Sequence, residues 1–414
     1  MVFKKKYELV FLFLLIFPIL LLRVTIESTN YCTPDSVYYL EVSKNILSGL
    51  GCVGPKTFDY NSDKSKLIPL YDKTPFGQPN LYEKEYFAVW PLGYPLCIVA
   101  VSYVTTLPPL WASKLLNILL LGLDFYLLFL LFSGSSYLPL YYFCSFTMLE
   151  ICSYTWSENL FIPFFLMLIL SIKKIHTSTT ILVKYILLLA LALFGMCMAR
   201  YASIIFYVST FVVLLHYLRR QAFEKAKMIF FGLVISTISL SLYLFNNYIQ
   251  SGYVTGMPRT NTQDYTSIEL TGKFFMGIFH QLHLIKQFRI SGTADLIFYL
   301  FSTTLQLSLM AYLFYILINN SIEKNFSEKS KLMLSLGFIY LIFLIYMTYT
   351  SVIDPFDYRT LLPFSFPVSI ALLAELEARL TINNRNRAIL VVKAFFVFSL
   401  MVNLPKKYLL GLLF

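Results

Sequence analysis

Charge is what this sequence has least of. Asp, Glu, Lys and Arg together make up 13% of its 414 residues, where a soluble protein carries about a quarter. A soluble domain of this length cannot cover itself with so few polar side chains, so a water-soluble enzyme or binding module is excluded. Histidine is scarce at four residues, and neither it nor the six cysteines fall at zinc-ligand spacing. A phosphate-cradling glycine loop and a nucleophile-elbow serine are both lacking. So are low-complexity tracts, internal repeats and the inverted symmetry of broken helices that marks many transporters. Disorder, coiled coils, secretion and nucleic-acid binding are not the main theme of such a chain.

What is present is apolar. Hydrophobic residues make up 58% of the chain and aromatics 18%, and the mean hydropathy is +0.69. The chain must therefore be solvated by lipid. At about 20 apolar residues per crossing, its length allows roughly eleven or twelve spans with one or two sizeable loops. The net charge of +11 is what cytoplasmic loops facing anionic headgroups accumulate, and no nucleic-acid partner is implied.

The N-terminus carries Lys4, Lys5 and Lys6 before an apolar run, with no small-residue cleavage site after it. It reads as a retained first span over 7–23 with the lysines inside. A long polar segment over 24–110 follows. Within it the apolar stretch 91–107 is bounded by Pro91, Pro95, Pro108 and Pro109, and is at the lower limit for a crossing. If it only dips into the outer leaflet, the later spans are 111–132, 138–154, 159–172, 181–199, 201–218, 228–247, 295–318, 331–350, 360–379 and 387–403. The basic clusters around Lys173, Arg220, Lys329 and Arg385 then all face the cytoplasm; if it crosses, they all lie outside. The expectation is an all-α polytopic membrane protein with about eleven transmembrane helices. It has a long first extracytoplasmic loop carrying juxtamembrane helices and a second outer loop over 248–294. A division follows into a first transmembrane module, 1–220, and a C-terminal transmembrane region, 221–414. The protein sits in the cell (inner or plasma) membrane, N-terminus cytoplasmic, with its working surface extracytoplasmic.

On that outer side stand the candidate residues. Thr33 and Pro34 read as the N-cap and first position of a helix ending near Gly49 and Gly51, which puts the Asp35 carboxylate in its first turn. There it either stabilises the helix start or reaches a headgroup at the bilayer surface. Glu158, after Trp156 and Ser157, begins another segment on the same face. Arg200 and Arg359 stand at outer helix ends among apolar residues, placed to grip a phosphate bidentately or to snorkel to headgroups. Asp354 and Asp357 either solvate the turn before Arg359 or pair with it. Cys32 and Cys52 flank the Asp35 helix on the oxidising side and are candidates for a disulfide. In the second loop, His280 and His283 read as polar residues of an interfacial helix, with a shared metal as the alternative. Asp124 is the one clearly intramembrane acid.

PDSVYYLEVSKNILSGLG after the first span, VWPLGYPL at the loop's end, WASKLLNILLLGLDFYLLFLLF, SENLF and DYRTLLPFSFPVSIALL, in this order, resemble the GT-C superfamily of membrane glycosyltransferases. The resemblance is nearest to the protein O-mannosyltransferase-like and aminoarabinose-transferase-like branch. It covers residues 1 to about 220 and about 350 to 375. It implies a transferase that moves a sugar from a polyprenyl or dolichyl phosphate donor to a protein, lipid or glycan hydroxyl, with inversion. Asp35 would be the general base and Glu158 a second catalytic acid. Arg200 and Arg359 would clamp the donor phosphate. The sequence has Ser36 after Asp35 instead of a second acid, and Glu158 where many members have Asp. The resemblance therefore implies no certain cofactor and leaves a divalent metal open. The alternatives are a lipid-linked glycan polymerase or ligase, whose large outer loop is expected late in the chain, and a secondary transporter.

Overall fold

The computed structural model describes residues 10–19, 23, 33–55, 84–132, 137–256, 266–282, 292–319, 325–350, 359–379 and 382–403. In chain order they form α1 (Val10–Ile19), α2 (Pro34–Leu47), β1 (Val53–Pro55), β2 (Lys84–Tyr86), α3 (Gly93–Thr105), α4 (Pro109–Phe132), α5 (Leu138–Tyr141) and α6 (Phe146–Ser153). There follow α7 (Glu158–Thr177), α8 (Val183–Ala199), α9 (Ile205–Arg219), α10 (Phe223–Ser251), α11 (Ser267–Leu282), α12 (Thr293–Asn319), α13 (Glu328–Thr350), α14 (Leu362–Arg379) and α15 (Ile382–Val402). Apart from the antiparallel ribbon β1–β2, in which Val53 faces Tyr86, these elements are helical.

Six helices among the described residues are long and apolar enough to cross a membrane: Pro109–Phe132, Glu158–Thr177, Tyr201–Arg219, Phe223–Ser251, Leu296–Ile316 and Glu328–Tyr349. Their outward faces show lipid-type surface, for example Phe211, Phe230, Leu242 and Tyr346, all exposed. An all-helical chain of this kind is a polytopic membrane protein. Helices before and after residue 220 pack together: α8 against α10, α9 against α13, and α5 against α14 and α15.

The expected span 138–154 is not one helix. It folds as α5, a 3₁₀ turn over Tyr142–Cys144, extended backbone at Ser145, and α6, whose Met148 N–H is capped by Ser145 Oγ. Broken backbone is tolerated here because protein surrounds it; Leu140, Phe143, Cys144 and Ile151 are all buried. It still runs the length of α4. Leu138 lies beside Phe132 at one end, and Ser153 meets Lys114 at the other.

The stretch 91–107 folds as α3, whose 13 residues reach only ~20 Å at 1.5 Å per residue, against a hydrocarbon core of ~30 Å. Its first turn lies directly on α8, where a Cβ on Gly93 would come within 2.4 Å of the Met198 carbonyl oxygen. Only glycine permits that approach.

One end of the bundle gathers basic residues. Lys173 and Lys329 both donate to the Leu131 carbonyl, at 2.9 and 3.5 Å, and Lys225 Nζ donates to the His176 carbonyl at 2.5 Å. The opposite end of α7 carries Glu158.

Candidate active site

Helix α2 starts as its sequence dictates. Thr33 Oγ1 accepts the Ser36 N–H at 3.3 Å, Pro34 takes the first position, and Asp35 lies in the first turn. The helix end passes through Gly49 and Gly51, both in the left-handed region at φ 76° and 81°. Glu158 is the first residue of α7. The turn before it, 154–157, is held from below by side chains of α4 and α7. Lys114 Nζ donates to the Ser153 carbonyl at 2.8 Å, Asn117 Nδ2 to those of Cys152 and Tyr154 at 3.1 and 2.8 Å, and Asn159 Nδ2 to Ile151 and Trp156 at 2.7 and 3.1 Å. The α6 C-terminus would otherwise leave the carbonyls of Ile151, Cys152 and Ser153 unsatisfied in a dry interior, at about 1–3 kcal/mol each.

The four charged residues expected to act then meet. Arg359 Nη2 donates to Asp35 Oδ2 at 2.5 Å, and Arg359 Nε to Glu158 Oε1 at 3.0 Å. Arg200 Nη1 donates to Glu158 Oε1 at 2.6 Å and to the Arg359 carbonyl at 3.1 Å. The Arg359 guanidinium lies over the Trp156 ring, 4.2 Å from its centroid. Trp156 Nε1 donates to Thr33 Oγ1 at 2.7 Å, and Tyr39 OH donates to Ser157 Oγ at 3.1 Å, tying α2 to the turn. The Glu158 side chain is 2% exposed, and those of Asp35, Arg359 and Arg200 are 21%, 20% and 19% exposed.

Neither arginine snorkels. Burial alone would lower the Arg359 pKa, but the carboxylates of Glu158 and Asp35 outweigh it and hold the guanidinium more firmly protonated than usual. Burial raises the Tyr39 pKa well above its ordinary value, and the charges of Asp35 and Glu158 add to that, so Tyr39 serves as a neutral donor.

Asp354 and Asp357 lie outside the described residues, as do Cys32 and His283. Cys52 bonds to no other described cysteine, and burial pushes its thiol up. Asp124 is buried on α4 away from the cluster, and its Oδ1 has no hydrogen-bond partner among the described residues. The sequence reading missed Trp156 as the platform for Arg359, and Lys114, Asn117 and Asn159 as supports. A lone lysine in the apolar run WASKLLN is the signal that marks the first of these. It also missed Arg23, which pairs with Glu150 and donates to Ser153 Oγ at 2.9 Å, joining the N-terminal part of the chain to α6.

Among the described residues the cluster does not make a metal centre: Asp35 and Glu158 are its described carboxylates, and the guanidinium of Arg359 already bridges them. Among the described residues no three His, Cys, Asp or Glu side chains gather as ligands. The cluster instead suits an anion: two guanidinium groups reach it from separate segments, one stacked and oriented.

Beside it, a cavity of about 340 Å³ opens between the 3₁₀ turn Tyr201–Ile204, α10 and α13. Arg200, Thr255 and Thr360 are among its polar lining residues, and most of the rest is apolar or aromatic, with Leu240, Leu244, Phe343 and Met347 among it. Comparison of the chain with protein-family models, with curated proteins and with solved structures yields no match.

Proposed function

We propose that this protein is an integral membrane glycosyltransferase that moves a sugar from a polyprenyl or dolichyl phosphate donor to an acceptor hydroxyl. The observation that carries the reading is the meeting of Asp35, Glu158, Arg200 and Arg359 beside an apolar cavity that begins at Arg200. A polyprenyl phosphate needs both features at once, a cationic grip for its phosphate and an apolar slot for the first isoprene units.

In this reading Arg200 and Arg359 take the donor phosphate, and Asp35, released from Arg359, faces the acceptor. The acceptor oxygen attacks the anomeric carbon as the carbon–oxygen bond to phosphate breaks. The bonding pair leaves on the phosphate, and the acceptor proton passes to Asp35. A single displacement inverts the anomeric centre. The arginines lower the barrier because charge grows on the phosphate oxygens they hold. Glu158, buried between them, keeps both guanidinium groups in position. The basic end of the bundle belongs in the cytoplasm by the positive-inside tendency, which puts the cluster on the extracytoplasmic face of the cell membrane. Asp124, the residue a transporter would be expected to use, does not line this cavity.

The test is mass spectrometry of polyprenyl-phosphate sugars and surface glycans in cells lacking the protein. An accumulated donor together with a missing sugar supports the transferase and identifies both substrates. Unchanged donor pools and glycans would refute it.

A further inference from the structure

The chain has three tryptophans, and each meets different surroundings. Trp111, in the first turn of α4, is 41% exposed on a membrane-crossing helix, the ordinary place for an interfacial ring. Trp156 is buried, stacked on Tyr154 with centroids 4.6 Å apart and covered by Arg359, and its N–H is spent on Thr33. Trp90 is half-buried, and its Nε1–H donates to no described residue.

Trp90 is a ring set on other rings. Its centroid lies 5.1 Å from that of Tyr38 and 6.0 Å from those of Tyr39 and Phe87, at interplanar angles of 68°, 60° and 48°. Those three rings are buried, so Trp90 is the member of the group that keeps open surface. None of them lies flat on it, in contrast to Tyr154 on Trp156.

The backbone on both sides of Trp90 is pinned. The Phe87 N–H donates to the Cys52 carbonyl at 2.9 Å, and the Ala88 carbonyl accepts from the Gly256 N–H at 3.0 Å and from Tyr201 OH at 3.1 Å. The Leu92 N–H donates to Tyr243 OH at 3.1 Å, and Pro91 restricts the turn between them. The indole is therefore held in place before any ligand arrives, as a recognition surface requires.

Tyr39 joins this ring to the cluster. It lies one helical turn after Asp35 on the same face of α2, and its OH donates to Ser157 Oγ at 3.1 Å, directly before Glu158. The charges of Asp35, Glu158 and Arg359 all act on it. One side chain thus touches Trp90 and, at its far end, the turn that carries Glu158.

We infer that Trp90 is a stacking platform for a sugar ring, and, resting on the transferase reading above, that this ring belongs to one of the two substrates that meet at Asp35. A sugar has faces of polarised C–H bonds, which settle on the electron-rich face of an indole. Its rim carries hydroxyls that accept the Nε1–H. A lipid chain could lie on the ring but could not accept that proton, so the pairing of open ring and open donor favours a saccharide.

The experiment uses the full chain, labelled with fluorotryptophan and held in nanodiscs, whose fluorine spectrum gives one resonance per tryptophan. Trp90→Phe assigns the Trp90 signal; if that variant does not fold, Trp111→Phe and the response of the Trp156 signal to Arg359→Lys assign it by elimination. The probes are methyl glycosides of hexoses, pentoses and amino sugars, with sorbitol as a hydroxyl-rich compound that has no ring. The Trp90 signal is expected to move with at least one glycoside and not with sorbitol, and Trp90→Phe to weaken that glycoside's binding at least threefold. Polyprenyl phosphate, bare or carrying the same sugar, then separates the sources. A Trp90 shift that needs the sugar on the donor assigns the ring to the donor, and a shift with the free glycoside but not with the donor assigns it to the acceptor. A Trp90 signal that no glycoside moves, or that sorbitol moves equally, overturns the inference. Failure of the transferase reading shows at another resonance: Trp156, under Arg359, stays unmoved by polyprenyl phosphate while Trp90 still answers to glycosides.

Discussion

Arg359 Nη2 stands 2.5 Å from Asp35 Oδ2, a pairing across 324 positions of sequence, and the same guanidinium also holds Glu158. Among the described residues, two carboxylates pair with two guanidinium groups in this cluster. A donor phosphate must therefore compete with Asp35 for Arg359, and its binding frees the carboxylate that the reaction needs.

Asp35→Asn should abolish transfer while leaving the protein folded. Asn keeps the size and the helix-start hydrogen bonding but cannot take a proton. A general base contributes about 10²-fold to 10⁴-fold, whereas a lost first-turn charge costs at most about 1 kcal/mol. Transfer of labelled sugar from a polyprenyl-phosphate donor, normalised to protein amount, separates the two. Near wild-type turnover would remove Asp35 from the role of base.

Arg359→Lys should lose at least tenfold in affinity for polyprenyl phosphate, because a lysine cannot both stack flat on Trp156 and grip two oxygens. The carboxylates beside Arg359 raise its pKa above the ordinary value. Its charge, and the stability that goes with it, is thus fully present below the ordinary arginine pKa and is lost only as pH rises through the still higher folded value. Donor binding should accordingly stay flat between pH 7 and 10 as far as this group is concerned. Equal affinity in Arg359→Lys and wild type would return the arginine to a purely structural role.

Glu158→Gln should damage stability more than Asp35→Asn does. The Glu158 carboxylate is almost fully buried between two guanidinium groups, and breaking such a pair costs about 3–5 kcal/mol. Folded yield and thermal midpoint in detergent measure this. A midpoint unchanged from wild type would mean that the ion pairs contribute little.

Arg359→Ala should create a divalent-cation site that the wild type lacks. Removing the guanidinium leaves Asp35 and Glu158 facing one another, as hard oxygen ligands do around Mn²⁺. Titration with Mn²⁺ followed by electron paramagnetic resonance should show binding in this variant, lost again on adding Asp35→Asn. Tight, Asp35-dependent Mn²⁺ binding by the wild type would contradict the metal-free reading of the cluster.

Lys173→Cys should resist an impermeant thiol reagent in intact cells, while Tyr253→Cys should react. The two residues lie toward opposite ends of the bundle, and the basic end is assigned to the cytoplasm. Labelling of Lys173→Cys would invert the orientation and put the cluster on the cytoplasmic side.

Composition and pattern alone determine that this is a helical membrane protein. Long apolar runs with so little charge have no stable home in water, and in lipid the helix satisfies its own backbone. The Asp35 helix was legible from Thr33 and Pro34 at one end and Gly49 and Gly51 at the other, because capping is local chemistry. Tertiary structure alone decided that Arg200 and Arg359 pair with carboxylates instead of snorkelling. No local pattern tells an arginine at a span end whether a buried Glu158 waits on a neighbouring helix. The break at 138–154 was hidden for a similar reason: an apolar run reads alike whether lipid or protein surrounds it, and only burial on all sides permits the open backbone at Ser145. The support given by Lys114, Asn117 and Asn159 to the turn before Glu158 belongs to the same class, since it exists only once α6 ends against α4 and its carbonyls, shut off from water, must find donors there.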